Sequence, residues 1–301
     1  MKKIWVLKMI ISKTAGDKGN YKVSEYYYDS ARAGMFDLLR QMSDNGLSEF
    51  VFLPGYVGWS LKEGSGIFDP INRLSNITVV YYKMDQYLNI DFDDLISKMK
   101  GIEDREFAVL VVNYFGFVDP QIEPIYSKIK QLGGWSIEDN AHGFFTWMYS
   151  NRSDADATFF SLHKMFPFEK GGSLRILNDQ LKNLQYEGKD LSEAEYNPWN
   201  YNISEIAAIR RRNYFNLDAL IKQHNYTSFF EPLKLGLEEG IVPQSYPIKI
   251  KVGNRDTIYE LMNVAGYGVV SLYHTLIEPL RNAEHRLAYD LSKCILNLPV
   301  H

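Results

Sequence analysis

Cysteine is almost missing from this chain: Cys294 is the only one among 301 residues. That excludes an internal disulfide framework and any cysteine-based zinc site. Long apolar runs are missing too, and no segment approaches the roughly 18 uninterrupted apolar residues of a membrane-spanning helix. There is no surplus of positive charge. With a formal net charge of -4, the chain has no general attraction to nucleic acid or anionic membrane, and any phosphate site has to be local. No Gly-x-Gly-x-x-Gly follows the first strand pattern, Gly64-Ser65-Gly66 lacks the Lys-Ser/Thr ending of a Walker loop, and no His-Glu-x-x-His zinc pair occurs. The segment Met1 to Ile11 has a basic start and an apolar run, but Lys8 interrupts it and no small-residue cleavage site follows. It reads as an opening strand rather than a signal peptide, and a cytoplasmic enzyme is expected.

What the chain does have is the composition of a folded protein, with 46% hydrophobic and 23% charged residues, which excludes disorder. Residues 1 to about 180 alternate strand-like runs with helical periods. Glu49 to Leu53, Ile77 to Tyr82, Phe107 to Tyr114, Trp135 to Ile137, Ala157 to Phe160 and Ser173 to Leu177 are short, β-rich and mostly not alternating. Strands of that kind belong to a sheet covered on both faces. Between them, Ala31, Met35, Leu38, Leu39 and Met42 make a helical stripe, and Asp91 to Met99 and Glu123 to Leu132 are helical by period. Leu181 to Asn202 is polar and reads as an extended loop. A helix from Ser204 to about His224, a half-exposed strand from Tyr246 to Val252 and a helix from Asp256 to Val264 follow. The expected fold is therefore α/β: a three-layer α/β/α domain with a mostly parallel sheet over residues 1–200, and a small α+β domain over 201–301.

Two strand patterns end in polar residues that suit one chemistry. The first runs into Glu138-Asp139-Asn140-Ala141-His142, the second into Phe160-Ser161-Leu162-His163-Lys164, and Gly171-Gly172 closes the segment. Taken singly, Asp139 is a helix cap or solvated turn, and His142 and His163 are partly buried histidines with satisfied hydrogen bonds. In that order, with small residues between, they match the needs of pyridoxal 5'-phosphate: an anion for the ring nitrogen, an amine for the aldehyde and a cradle for the phosphate. Asp139 can keep the ring nitrogen protonated, Lys164 can take the aldehyde, and His142 can bond the ring hydroxyl. The helix start after Asp29-Ser30 offers amide N–H groups and a positive dipole end, where Ser30, Ala31 and Arg32 can meet a phosphate.

These motifs resemble the DegT/DnrJ/EryC1/StrS aminotransferases, and the resemblance extends through Asp29 to Leu39, Phe52 to Tyr56, Val111 to Phe117, Arg210 to Tyr214 and Leu296 to His301. It implies fold type I and transfer of an amino group, from glutamate, to a nucleotide-linked keto sugar, the cofactor passing through pyridoxamine 5'-phosphate. It also implies Lys164 as the Schiff-base lysine, Asp139 as the partner of the ring nitrogen, His142 as the ring-hydroxyl contact, and Ser161 and His163 beside the cofactor. A homodimer is expected, with Asn202, and Tyr201 beside it, reaching the partner's phosphate.

The chain also departs from the family. Ala31-Arg32 stands where many members have Gly-Thr. Gly58 stands four residues after Pro54, where an aromatic ring usually covers the cofactor, leaving Tyr56 or Trp59 as the stacking candidate. Relatives also continue past the position of His301 into a final helix. Arg210-Arg211-Arg212 reads as a solvated helix face, with phosphates of the substrate as the other option. Two further functions stay open: a sugar dehydratase of the same fold, in which histidine typically replaces the lysine, and a non-catalytic homologue that acts by binding.

Overall fold

A computed structural model describes residues 24–62, 64–102, 104–150, 155–224 and 226–301. The strand expected over Met1 to Ile11 lies outside them. The chain runs through β1 (Ser24–Tyr28), α1 (Ala31–Asp44), β2 (Phe50–Pro54), α2 (Phe68–Ile71), β3 (Thr78–Tyr82), α3 (Phe92–Lys100), β4 (Phe107–Val112), α4 (Ile122–Gln131), β5 (Trp135–Asp139), α5 (Phe144–Tyr149), β6 (Ala157–Ser161), α6 (Leu162–Met165), β7 (Gly172–Ile176) and α7 (Asp179–Lys182). These strands form one seven-stranded sheet in the order β1-β7-β6-β5-β4-β2-β3. From β6 across to β3 every pairing is parallel, and β7 runs antiparallel to both of its neighbours. Side chains of both parities are buried along β4, β5, β6 and β7, as a sheet covered on both faces requires.

The remaining elements are α8 (Ile203–Gln223), β8 (Phe230–Pro232), β9 (Ser245–Ile250), α9 (Arg255–Val264), α10 (Arg286–Cys294) and β10 (Ile295–Pro299). The strands make a three-stranded antiparallel sheet, β10-β9-β8. Together the two sheets give the expected α/β fold with a smaller α+β part. Among the described residues no helix is long and apolar enough to cross a membrane.

Two features of the first sheet position the site. Chain order and strand order part company at β2, since β3 lies outward of it and β4 on its other side, and the carboxyl ends beside such a switch frame a crevice. The second feature is the seat of α1. Ser30 has extended backbone (φ -157°, ψ 158°) and accepts a hydrogen bond from the Ala33 N–H at 3.2 Å, so the helix starts at Ala31. Its stripe of Ala31, Met35, Leu38, Leu39 and Met42 is buried, and the helix packs on β6 and β7. The paired glycines allow this close approach: Gly171 takes φ +128°, and a Cβ on Gly172 would meet the backbone of Ser30 and Ala31.

The hydrophobic pattern does not announce β1, β8 or α10. Three consecutive tyrosines give no alternation, and β1 becomes a strand through its pairing with β7. Leu181 to Asn202 is not a free excursion. It lies along the outer edge of β1, where Tyr27 and Lys189 exchange backbone hydrogen bonds of 2.8 and 2.9 Å, and the Glu187 N–H reaches Asp37 Oδ2 at 2.6 Å. An edge strand leaves backbone groups unpaired, and this segment satisfies those of Tyr27.

Because backbone rather than a flexible side chain blocks the space at Gly172, Gly172→Ala should destabilise the protein by about 1–3 kcal/mol. Urea unfolding of the two proteins measures it, and equal midpoints would show that α1 has room to retreat.

Candidate active site

Asp139 is the last residue of β5 and Ser161 the last of the neighbouring parallel strand β6, with Asp139 opposite Phe159 in register. Residues just past both strand ends therefore share one rim of the sheet. There a cavity of about 590 Å³ is lined by Ser30, Ala31, Arg32, Trp59, Asp139, His142, Ser161, His163 and Lys164, a size ordinary for a ligand pocket. Among the predicted contacts Tyr56 and Tyr201 do not line the cavity, and neither does Asn202. Its side chain caps α8, accepting from the Glu205 N–H at 3.1 Å, while Tyr201 packs its ring on Phe166 and Phe168.

A buried polar net holds the strand ends in place. Asn113, just past β4, donates from Nδ2 to Glu138 Oε1 at 2.7 Å and to Asn140 Oδ1 at 2.8 Å. Asn140 Nδ2 donates to Thr158 Oγ1 at 3.0 Å. With these side chains bonded to one another, Asp139 alone of the run turns its carboxylate to the cavity. It is 3% exposed, and Oδ1 accepts the Ala141 N–H at 2.8 Å. Burial pushes its pKa up to about 6, against the opposing pull of that N–H and of Lys164.

His142 is equally buried, and its ring lies nearly parallel to Phe115, 12° apart with centroids at 6.0 Å. Phe115 has left-handed backbone (φ 58°, ψ 18°), and its N–H points to His142 Nδ1 at 3.4 Å. On the other side of the ring Nε2 lies 3.2 Å from Lys164 Nζ, and it accepts from the lysine when Nζ is an ammonium. Burial, and then the charge of Lys164, holds the histidine's pKa well below its usual value. Lys164 itself sits on the one-turn helix α6, exposed where it lines the cavity. Lys170 does not line it and is tied outside to Asp29 at 3.2 Å and Glu195 at 3.4 Å.

The other end of the cavity suits an anion. The first turn of α1 carries no acidic residue, and Ser30, Arg32, Lys62, Ser161 and His163 are among the lining residues. His163 Nδ1 lies 3.2 Å from Ser161 Oγ and 3.4 Å from the Gly171 carbonyl, which orients its ring.

Other expectations change on folding. Tyr56 is fully buried and does not line the cavity, so of the two stacking candidates only Trp59 does. Of Arg210 to Arg212 only Arg212 is on a solvated face. Arg210 is buried and donates to the Gln244 carbonyl at 3.1 Å, and Arg211 donates to the carbonyls of Glu238 and Ile241, so both fasten α8 to the loop before β9. Carbonyls left without strand partners draw these cations inward. Lys62, Ser271, Tyr273 and His274 line the cavity without having been legible as site residues. They come from loops, where neither period nor motif marks them.

No family model and no curated protein sequence matches the chain. Solved structures do share its fold. A DegT DnrJ EryC1 StrS aminotransferase from Brucella abortus superposes with a TM-score of 0.65 at 17% identity, over 93% of this chain and 81% of that one. Helicobacter pylori PseC, an aminotransferase involved in the biosynthesis of pseudoaminic acid, gives 0.67 at 18% identity over 92% and 81%. E. coli GDP-4-keto-6-deoxy-D-mannose-3-dehydratase, with bound hydrated PLP, gives 0.64 at 16% identity over 92% and 83%. Identities this low establish the fold the chain shares with these enzymes.

The raised pKa of Asp139 makes stability depend on pH. Between about pH 4, near the carboxyl's unfolded value, and about pH 6 the folded protein binds the extra proton, so rising pH costs stability, by about 3 kcal/mol over that window. Asp139→Asn removes the penalty. Relative to the original protein, the variant without cofactor should gain about that much between pH 4 and pH 7.5 in urea unfolding, and a difference that stays flat with pH would contradict a buried carboxylate.

Proposed function

We propose that this protein is a pyridoxal-phosphate-dependent aminotransferase that moves an amino group from glutamate to a nucleotide-linked keto sugar. One observation carries the reading: a buried carboxylate, a neutral histidine, a lysine amine and the start of α1 line a single cavity. The residues fit the cofactor. Asp139 is a carboxylate out of water whose pKa is raised by burial, and a protonated ring nitrogen beside it would offset that cost. The acid-free start of α1, with Ser30, Arg32 and Ser161, supplies hydroxyl, guanidinium and dipole for a phosphate. Arg32 stands in for the hydroxyl that many relatives carry at that position.

When bound, the cofactor supplies a carbonyl to receive the amino group and a ring to draw off electrons. The protein's own residues do the rest. Asp139 holds the proton on the ring nitrogen, His142 orients the ring through its edge, and Lys164 carries protons at Nζ beside His142 Nε2. Amination is favoured over dehydration because Lys164, not a histidine, occupies the reactive position. The sugar nucleotide follows from the resemblance in the motifs, and the GDP-linked keto sugar in the name of one structure sharing this fold supports it.

To test this, the protein loaded with pyridoxal phosphate is reduced with borohydride, digested and mapped. The pyridoxyl mass is expected on Lys164, and glutamate added before reduction should release 2-oxoglutarate. A mass on Lys170, or none at saturating cofactor, would sink the assignment.

We also propose that the working unit is a homodimer in which Asn202, outside its own cavity, faces the partner's phosphate site. Leu61 is 92% exposed and Trp59 38% exposed beside the cavity, apolar surface that a second copy would cover. Light scattering over a dilution series with cofactor should give twice the chain mass; a fully active, cofactor-loaded monomer would contradict it.

A further inference from the structure

Gly58 and Tyr273 occupy one another's space. A Cβ built on Gly58 would lie 2.7 Å from Tyr273 Cδ1 and 3.2 Å from its Cα, so no larger residue fits at 58 while Tyr273 stays where it is. The backbone enforces the match. The Trp59 N–H donates to the Thr275 carbonyl at 2.9 Å and the Ile277 N–H to the Val57 carbonyl at 3.0 Å, clamping residues 275–277 against the loop after β2. Tyr273, just before the clamp, has left-handed backbone at φ 57°, a conformation that costs a non-glycine residue energy and persists only where surroundings impose it.

Its ring is packed from several sides, by Tyr114 at 5.3 Å, Tyr56 at 5.5 Å, His142 at 5.9 Å and Phe115 at 6.1 Å between centroids. It also lines the cavity with Asp139, Ala141, His142 and Lys164. Burial, and then the charge of Asp139, raises the pKa of its hydroxyl, so the neutral phenol shares the carboxylate's end of the cavity. Trp59, by contrast, is 38% exposed.

We propose that Tyr273 is the aromatic wall of the cofactor-ring site, and that Gly58 is a glycine because it seats that ring. The wall that relatives raise from the loop after β2 is supplied here by a segment from the far end of the chain. This rests on the cofactor reading above and adds to it a residue that couples the segment before α10 to cofactor binding. A rigid ring pre-packed on its neighbours offers a flat face at little entropic cost.

The test measures pyridoxal-phosphate affinity by equilibrium dialysis, together with the circular dichroism that the bound cofactor acquires, and uses thermal melting without cofactor as the folding control. Tyr273→Ala should weaken binding about tenfold and diminish the dichroism, whereas Tyr273→Phe should keep both. Gly58→Phe should bind far more weakly than the original protein, and adding Tyr273→Ala to it should restore affinity by returning a ring to the vacated space. Unchanged affinity and dichroism in Tyr273→Ala, or a loss in Tyr273→Phe as large as in Tyr273→Ala, would overturn the wall. A folded Gly58→Phe/Tyr273→Ala protein that binds no better than Gly58→Phe would overturn the seat. If the unaltered protein binds no cofactor while melting normally, the cofactor reading itself fails and takes this one with it.

Discussion

A carboxylate withdrawn from water organises this molecule. Removing an ionised group from solvent costs several kcal/mol unless charge or hydrogen bonds compensate, and Asp139 has one backbone N–H and a lysine at a distance. The protein holds it there all the same, through the amides and hydroxyl of Asn113, Asn140 and Thr158 that tie β5 and the turn after β4 to β6. A fold selected for stability alone would place a neutral residue at that strand end. The cost is understandable where a cation is to be met.

The parts around Asp139 are set by close backbone approaches. Gly172 lets α1 settle on β7, which brings the helix start to the cavity. Phe115 accepts a left-handed backbone, its carbonyl bonded to the Gln244 N–H at 2.7 Å, and so turns its own N–H toward His142. Each of these trades local conformational ease for the orientation of one polar atom.

The smaller sheet is not an appendage. Arg210 and Arg211 bind α8 to residues 238–244, which in turn brace the turn after β4, and residues 271–277 return to the loop after β2. Through those two routes the later third of the chain presses on His142 from one side and furnishes Tyr273 from the other. Motion of the smaller part relative to the large sheet would therefore be felt at the His142 side of the cavity before the start of α1.

By itself the sequence determined the layered α/β fold and the run of residues from Asp139 to Gly172. Buried parallel strands are continuous apolar runs, and the polar residues that follow them can only emerge at the carboxyl rim. Asp139, His142, Ser161 and Lys164 share a cavity for that reason, and the stripe of α1 placed Ser30 and Arg32 at a helix start. Only the tertiary structure decided the rest. The pairing that makes β1 a strand, the inward turn of Arg210 and Arg211, the burial of Tyr56 and the fit of Tyr273 over Gly58 are contacts between residues distant in the chain. No local period encodes such contacts, because each depends on which surfaces meet once the sheets have formed.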